Sequence, residues 1–162
     1  MKRKDHALLN SIFIGAIICL LTGVFGALFT TPSISTWYAM LKKPFFNPPN
    51  WIFSPVWTAL YIMMGIAAAL IWQKGIKQKK NINALNSFVQ QLLLNVLWSV
   101  VFFGLHSPFG GLVVICLLWI AIVQTLRKFW EICPTSGYLL IPYILWVSFA
   151  VVLNASVWLL NR

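Results

Sequence analysis

The chain has 162 residues, of which 60% are hydrophobic and 9% are charged. Soluble domains usually carry about 25% charged residues, and so little charge cannot cover a water-facing surface. The composition therefore argues against a soluble enzyme, a disordered chain and a secreted disulfide module. It is typical of a small membrane protein that crosses the bilayer several times.

The charged residues are clustered, and they leave uncharged gaps at positions 6–41, 44–73, 81–126 and 132–161. A membrane-spanning helix needs about 20 mostly apolar residues, so each gap can hold at least one span. The third gap is broken by serine, proline and glycine at positions 107–111, which predicts two spans there. We therefore predict an all-α membrane protein, a five-transmembrane-helix bundle forming one domain over residues 1–162. The predicted helices cover positions 12–29, 55–73, 86–105, 112–129 and 138–160, roughly to within two to four residues at each end.

The predicted connector over residues 30–54 is rich in aromatic residues and proline. Proline fixes the backbone, and this composition is unlike that of a flexible Gly/Ser linker. The connector is therefore expected to pack as a lid at the membrane interface.

Lysine and arginine are divided unevenly between the two sides that five spans define. Nine lie on the N-terminal side, among them those of residues 2–4, and three lie on the opposite side, at Lys42, Lys43 and Arg162. Cytoplasmic loops carry the excess of basic residues. We therefore predict a multi-pass protein of the cell membrane with its N-terminus in the cytoplasm and its C-terminus outside. The net charge of +10 is assigned to orientation and not to nucleic acid, because no helix forms a basic face.

Residues for acid–base or metal chemistry are scarce. Asp5 and Glu131 are the only carboxylates, and neither lies in a predicted span. His6 and His106 have no partner at metal-ligand spacing, and the three cysteines form no CxxC pair. We expect no metal and no tightly bound cofactor, and the residues leave open whether the protein is an enzyme.

Aromatic and amide side chains recur at helical spacing on three predicted helices. The side chains that share a face are Trp57, Tyr61 and Met64 on the second helix, Gln91, Asn95, Trp98 and Phe102 on the third, and Tyr143, Trp146, Ala150 and Asn154 on the fifth. Polar groups in lipid point inward. These faces are compatible with a cavity for a flat apolar molecule that has a few polar points. They are equally compatible with helix contacts held by amide hydrogen bonds worth about 1 kcal/mol each.

Four motifs follow one another along nearly the whole chain. They are Trp37-Tyr38-x-x-Leu41-x-Lys43-Pro44-x-x-x-Pro48-Pro49, Pro55-x-Trp57-x-x-Leu60-Tyr61, Asn95-x-x-Trp98-Ser99-x-x-Phe102-Phe103 and Pro142-Tyr143-x-x-Trp146-x-x-Phe149-Ala150-x-x-Leu153-Asn154. Together they resemble the TspO/MBR family, which comprises the tryptophan-rich sensory proteins and the translocator proteins, also described as peripheral-type benzodiazepine receptors. Each motif is modest by itself, but their order and coverage make the combination specific.

The resemblance implies a five-helix bundle that is often dimeric, so we expect a homodimer of a bacterial member. The family binds porphyrins such as protoporphyrin IX and haem, sterols in some cases, and benzodiazepine-type drugs, in a pocket under the first loop. The resemblance therefore implies an integral membrane tetrapyrrole-binding protein that acts as a sensor, scavenger or regulator of porphyrin metabolism. Porphyrin would be its ligand, and membrane lipid and sterol-like molecules would be its other partners. Ala155 stands where the family's sterol motif needs tyrosine, which argues against tight cholesterol binding.

The same resemblance assigns roles to individual residues. Trp57 and Trp146 match the two pocket tryptophans, to which light-dependent porphyrin degradation is attributed in some members. Phe46 stands where the family often has tryptophan. The ligand-binding residues expected in this way are Trp37, Pro44, Phe46, Pro48, Pro49, Trp57, Tyr61, Asn95, Trp98, Phe102, Tyr143, Trp146, Phe149 and Ala150. The alternatives are a light-dependent porphyrin-degrading enzyme, a transporter of porphyrin or sterol-like ligands, and a structural membrane partner without a small-molecule ligand.

Overall fold

The computed structural model describes the backbone of residues 2–162 and the side chains of residues 6–162. The elements in chain order are α1 (Lys2–Ile34), α2 (Trp37–Met40), α3 (Asn50–Gln73), α4 (Lys79–Ser99), a π-helical turn (Val100–Gly104), α5 (Pro108–Ile132) and α6 (Pro134–Leu160). Five helices are long and apolar enough to cross a membrane, and the described part of the chain contains no strand. The predicted all-α, five-helix membrane bundle is thus confirmed. The side chains of residues 2–4, which enter the predicted orientation, lie outside the described residues.

Four helix ends extend beyond their predicted bounds because prolines lie inside or begin these helices instead of ending them. Pro108 and Pro134 occupy the first turn, where a missing N–H breaks no helical bond. Pro32 lies in the last turn of α1, and Pro55 lies in the second turn of α3. The connector predicted over residues 30–54 is consequently shorter. Its irregular parts are residues 35–36 and 41–49, and α2 lies between them.

Helix α1 changes its packing partner along its length. Near its start it touches α3 backbone to backbone: a methyl group on Gly15 would lie 2.5 Å from the carbonyl oxygen of Gly65. Near its end it packs on the π-helical turn instead, where the Ser33 hydroxyl donates to the carbonyl oxygen of Phe103 at 2.8 Å. Helix α1 is therefore packed both on α3 and on the end of the third span.

The π-helical turn widens the end of the third span. The N–H of Leu105 donates to the carbonyl oxygen of Val100 at 2.8 Å, a spacing of five residues. The wider turn directs two consecutive side chains inward, since Phe102 is 3% and Phe103 is 8% exposed. The sequence predicts a regular helix over 86–105, which would have brought only Phe102 to the inner face.

Candidate functional site

A cavity of about 350 Å³ lies between α1, α3, α4 and α6, beneath α2. This volume falls in the range of small-molecule sites, about 300–1,000 Å³. Its aromatic wall consists of Trp57 and Tyr61 from α3, Trp98 and Phe102 from the third span, and Trp146 from α6. The three inward faces predicted from helical spacing therefore meet around one cavity.

The cavity floor is a hydrogen-bonded amide between two phenols. The Tyr61 hydroxyl donates to Asn95 Oδ1 at 3.0 Å, and Asn95 Nδ2 donates to the Tyr143 hydroxyl at 3.0 Å. Asn95 is 3% exposed, so these bonds are shielded from solvent and join α3, α4 and α6. Tyr143 is fully buried behind the wall and does not line the cavity. Amide-mediated helix contact and a cavity thus occur together, although the sequence presented them as alternatives.

A second amide fixes the tryptophan of the third span. Asn154 Oδ1 accepts from the indole N–H of Trp98 at 3.1 Å, and Asn154 Nδ2 donates to the carbonyl oxygen of Pro108 at 2.8 Å. The Trp98 ring stacks on Phe102 with 5.5 Å between centroids. One face of the indole is therefore held in a fixed orientation toward the cavity.

The two remaining wall tryptophans are held by ring contacts. Trp57 packs on Tyr61 with centroids 5.6 Å apart, and Trp146 packs edge-on against Phe53 at 5.9 Å. The indole N–H of Trp146 is buried and has no hydrogen-bond acceptor among residues 6–162. A buried donor without an acceptor costs about 1–3 kcal/mol, so this side chain is expected to reorient when a ligand offers an acceptor.

Helix α2 closes the cavity from above. Tyr38 lines the cavity, and its hydroxyl donates to Asn47 Oδ1 at 2.8 Å. Burial raises the pKa of Tyr38 to about 12, so the phenol keeps its proton and donates this bond at neutral pH. Beside it the Trp37 ring stacks on His106 at 4.7 Å, which fixes α2 to the end of the third span.

Helix α2 and the segment 41–49 together form the cover of the cavity. The predicted lid residues lie in this cover but not on the cavity surface. Trp37, Pro44, Phe46, Pro48 and Pro49 do not line it. The reason is that α2 turns only the face with Tyr38 toward the cavity. No residue of the segment 41–49 lines it. Phe46 instead packs on Phe149 at 6.3 Å, and Phe149 lies behind Trp146. The contact of these residues with a ligand stays a prediction.

The segment 41–49 is fastened to the end of α6 by one side chain. Asn161 Oδ1 accepts from the backbone N–H of Lys42 at 3.0 Å, and Asn161 Nδ2 donates to the carbonyl oxygen of Lys42 at 2.9 Å. The amide thus pairs with both backbone groups of one residue, as a neighbouring strand would. This clamp holds the cover over the cavity, and nothing in the local sequence signals it.

Helix α1 supplies a side of the cavity that sequence reasoning missed, while Ala150 lines it as expected. Several of the α1 lining residues have small or short side chains, including Gly23, Ala27 and Thr31. Their spacing of three or four residues marks one helix face, but no aromatic or amide residue drew attention to it. Phe53 and Asn50 of α3 were missed because the second helix was predicted to begin only at position 55.

Among the side chains of residues 6–162, the charges near the cavity are all positive. Lys42, Lys43 and Arg162 lie at the α2 end of the bundle, and Lys43 Nζ lies 4.8 Å from the ring centroid of Tyr38. The carboxylate of Glu131 lies at the opposite end, where it pairs with Lys80 at 3.5 Å. Among residues 6–162, no three histidine, cysteine or acidic side chains are placed to hold a metal ion.

The sequence pattern of one protein family, described as the TspO/MBR family, matches residues 15–159 of the chain. The chain belongs to this family. The tryptophan-rich protein TspO of Archaeoglobus fulgidus is 43% identical over 149 residues, which cover 91% of this chain and 95% of that protein. The corresponding protein of Chlorobaculum tepidum is 46% identical over 144 residues, covering 89% and 91%. The human translocator protein is 37% identical over 123 residues, covering 75% and 73%.

Family membership and the five apolar helices establish a multi-pass membrane protein, and the family fits a sensory or regulatory role. In this protein the cavity has the features of a ligand pocket. It combines three indoles, two buried amides and a cover fixed by side-chain contacts.

Proposed function

We propose that the protein binds a tetrapyrrole, protoporphyrin IX or haem, in this cavity and acts as a membrane sensor, scavenger or regulator of porphyrin metabolism. The observation that carries the proposal is the convergence of Trp57, Trp98 and Trp146 on one cavity of about 350 Å³. Flat indole surfaces favour a flat aromatic ligand, because offset stacking adds to the burial of apolar area. Asn95 and Asn154 supply the few polar points that fix orientation in such sites.

The charge distribution supports an anionic ligand. A protoporphyrin carries two propionate groups on one edge of an otherwise apolar ring. Lys42, Lys43 and Arg162 lie at the covered end of the cavity, and no acidic side chain among residues 6–162 lies there, since Glu131 is at the other end. Propionates directed toward α2 would approach these cations at the interface, where charges attract moderately, by about 1 kcal/mol per pair.

The orientation belongs to the same proposal. The positive-inside distribution supports an N-terminus in the cytoplasm and a covered end of the cavity outside. A porphyrin would then be held in the outer half of the bilayer. A reporter fused to the C-terminus should be active only outside the cytoplasm, and cytoplasmic activity would reverse the assignment. Sedimentation in detergent would test the expected homodimer.

A dark titration tests the binding proposal. Protoporphyrin IX is added to purified protein in detergent, and the Soret band is followed to saturation. Trp57→Phe and Trp146→Phe should each weaken binding about tenfold, equivalent to about 1.4 kcal/mol. Trp119→Phe is the matched control, because Trp119 is 38% exposed and lies outside the cavity. Equal affinity of all four proteins, or a Soret change that never saturates, would indicate partitioning into the micelle and refute the proposal.

Light-dependent degradation of the bound porphyrin is a second candidate, favoured by the presence of both Trp57 and Trp146 in one wall. Electron transfer between an excited porphyrin and an indole needs no acid–base pair, and dissolved dioxygen would be the oxidant that is reduced as the porphyrin is degraded. Illumination of the saturated complex should then yield a new absorbing product faster than free porphyrin bleaches, and the yield should fall in Trp57→Phe and Trp146→Phe. If the bound porphyrin bleached only as fast as free porphyrin, the enzyme candidate would be rejected and the binding role would remain. Flux of porphyrin across proteoliposomes would identify the transporter alternative.

A further inference from the structure

The cavity is covered on the side of α2. Three separate contacts hold its cover: the Asn161 clamp on Lys42, the Tyr38–Asn47 hydrogen bond and the stack of Trp37 on His106. The first contact joins the cover to α6, the second joins two parts of the cover to each other, and the third joins the cover to the end of the third span. Opening the cavity from above would require several of these contacts to break together.

The cavity is open on its lipid-facing side. Six of its lining residues are also exposed on the outer surface of the bundle, and they form two rows. The row on α1 consists of Val24, Ala27 and Thr31, and the row on α3 consists of Asn50, Ser54 and Thr58. We call the gap between these rows the α1/α3 slit. The spacing of three or four residues puts each row on one helix edge.

Helix α1 is held by contacts on both sides of the slit. The backbone contact of Gly15 with Gly65 holds α1 against α3. Farther along the chain, α1 packs on the third span, where Phe29 packs on Gly104 and the Ser33 hydroxyl donates to the carbonyl oxygen of Phe103. The two exposed rows lie beside the cavity. Five of the six slit residues are small or polar, and Val24, which is 59% exposed, is the one larger apolar side chain.

We propose that ligands enter and leave the cavity sideways, through the α1/α3 slit, from the hydrocarbon part of the bilayer. The identity of the ligand rests on the proposed function, whereas the route rests on the slit alone. The site then selects molecules that first dissolve in the membrane. A flat amphiphile fits this route, since it can pass edge-on between two helices while its polar edge stays at the interface near Thr31 and Asn50.

The first test measures porphyrin exchange. Proteoliposomes loaded with protoporphyrin IX are mixed with an excess of protein-free vesicles, and the loss of the bound Soret band is timed. Ala27→Phe, which places a ring in the slit, should slow the loss about tenfold. Leu28→Phe is the matched control, because Leu28 is 63% exposed at the same depth of α1 but does not line the cavity. Asn161→Ala, which loosens the cover, should leave the rate unchanged. Faster loss in Asn161→Ala with a normal rate in Ala27→Phe would overturn the proposal.

The second test needs no porphyrin, so it separates the route from the proposed function. Ala150→Cys is introduced with Cys116→Ser and Cys133→Ser, and Cys19 stays because it is 1% exposed. In sealed vesicles the cavity thiol should react with lipid-soluble N-cyclohexylmaleimide and not with a sulfonated maleimide. The parent without Ala150→Cys corrects for Cys19.

Adding Ala27→Phe should slow the lipid-soluble reaction about tenfold, and adding Leu28→Phe should not. The proposal is overturned if the sulfonated reagent reacts equally fast, if neither reagent reacts, or if Ala27→Phe has no effect. Selective labelling in a protein that binds no porphyrin would support the slit and reject the tetrapyrrole assignment.

Discussion

Replacing Asn95 with alanine should destabilise the bundle by about 2–3 kcal/mol. The change removes the two 3.0 Å hydrogen bonds that join Tyr61 and Tyr143 across α4. Hydrogen bonds between membrane helices average about 0.6 kcal/mol, with values up to about 1.7. The Tyr61 hydroxyl, in a side chain that is only 7% exposed, is then left without its acceptor, which adds about 1 kcal/mol or more. The sum gives the expected range.

The assay is unfolding in mixed micelles by increasing sodium dodecyl sulfate, followed by far-ultraviolet circular dichroism. Tyr61→Phe and Tyr143→Phe remove one bond each and should cost about 1 kcal/mol each. Because they share the Asn95 amide, Asn95→Ala combined with Tyr61→Phe should cost less than the sum of the two changes. Asn86→Ala is the control on the same helix, since Asn86 is exposed, and its effect should stay within about 0.5 kcal/mol. An Asn95→Ala cost equal to the control, or full additivity with Tyr61→Phe, would refute the reasoning.

Three further predictions concern the ends of the bundle and the contact of α1 with α3. Burial raises the pKa of the Cys133 thiol, but hydrogen bonds from Ser136 and the charge of Lys74 outweigh it and hold the pKa below its ordinary value. Alkylation by iodoacetamide should therefore reach its half-maximal rate at a lower pH in the folded protein than after unfolding, and Lys74→Gln should raise that pH. Asn161→Ala should release the segment 41–49, so that trypsin cleaves after Lys42 about tenfold faster. Gly65→Leu should separate α1 from α3 and cost about 1–3 kcal/mol in the unfolding assay, because a side chain there meets the α1 backbone.

Each of these predictions has a contradicting result. For Cys133 the lowered pKa stabilises the folded state above the pKa of the unfolded thiol, and this contribution is lost as the pH falls through the folded pKa. If alkylation of Cys133 depended on pH in the same way in the folded and the unfolded protein, the lowered pKa would be refuted. Unchanged trypsin cleavage, compared with the exposed control Asn83→Ala, would deny the clamp. A Gly65→Leu protein as stable as the wild type would deny the close contact of the two helices.

The sequence predicted the five spans and the inner faces because both depend on local patterns. Uncharged stretches report the spans directly, since lipid excludes charge. The periodicity of Trp57 and Tyr61, and of Asn95 and Trp98, reports which face is turned inward, and these residues meet at the cavity. Because consecutive spans cross the membrane in opposite directions, their order along the chain determined which helix ends lie on the same side of the membrane.

Features that depend on distant contacts could not be predicted in this way. The length of α1 beyond Pro32 and the wide turn at Val100–Gly104 are fixed by packing between helices. The Asn161 clamp joins residues 119 positions apart, and an exposed asparagine near a helix end carries no signal for it. The α1 side of the cavity consists of small and aliphatic side chains, whose role follows only from where the helix crosses its neighbours.

The most direct measurement of the central claim is a dark titration of Ala150→Phe with protoporphyrin IX. Ala150 lines the cavity, so the added ring fills the space that the ligand needs while every wall tryptophan is kept. Val152→Phe adds the same ring two residues away, on a side chain that is 55% exposed toward lipid. A porphyrin-binding cavity predicts a saturable Soret shift in wild type and Val152→Phe, and none in Ala150→Phe. Equal saturable binding by all three proteins would contradict the account, because the porphyrin would then bind outside the cavity.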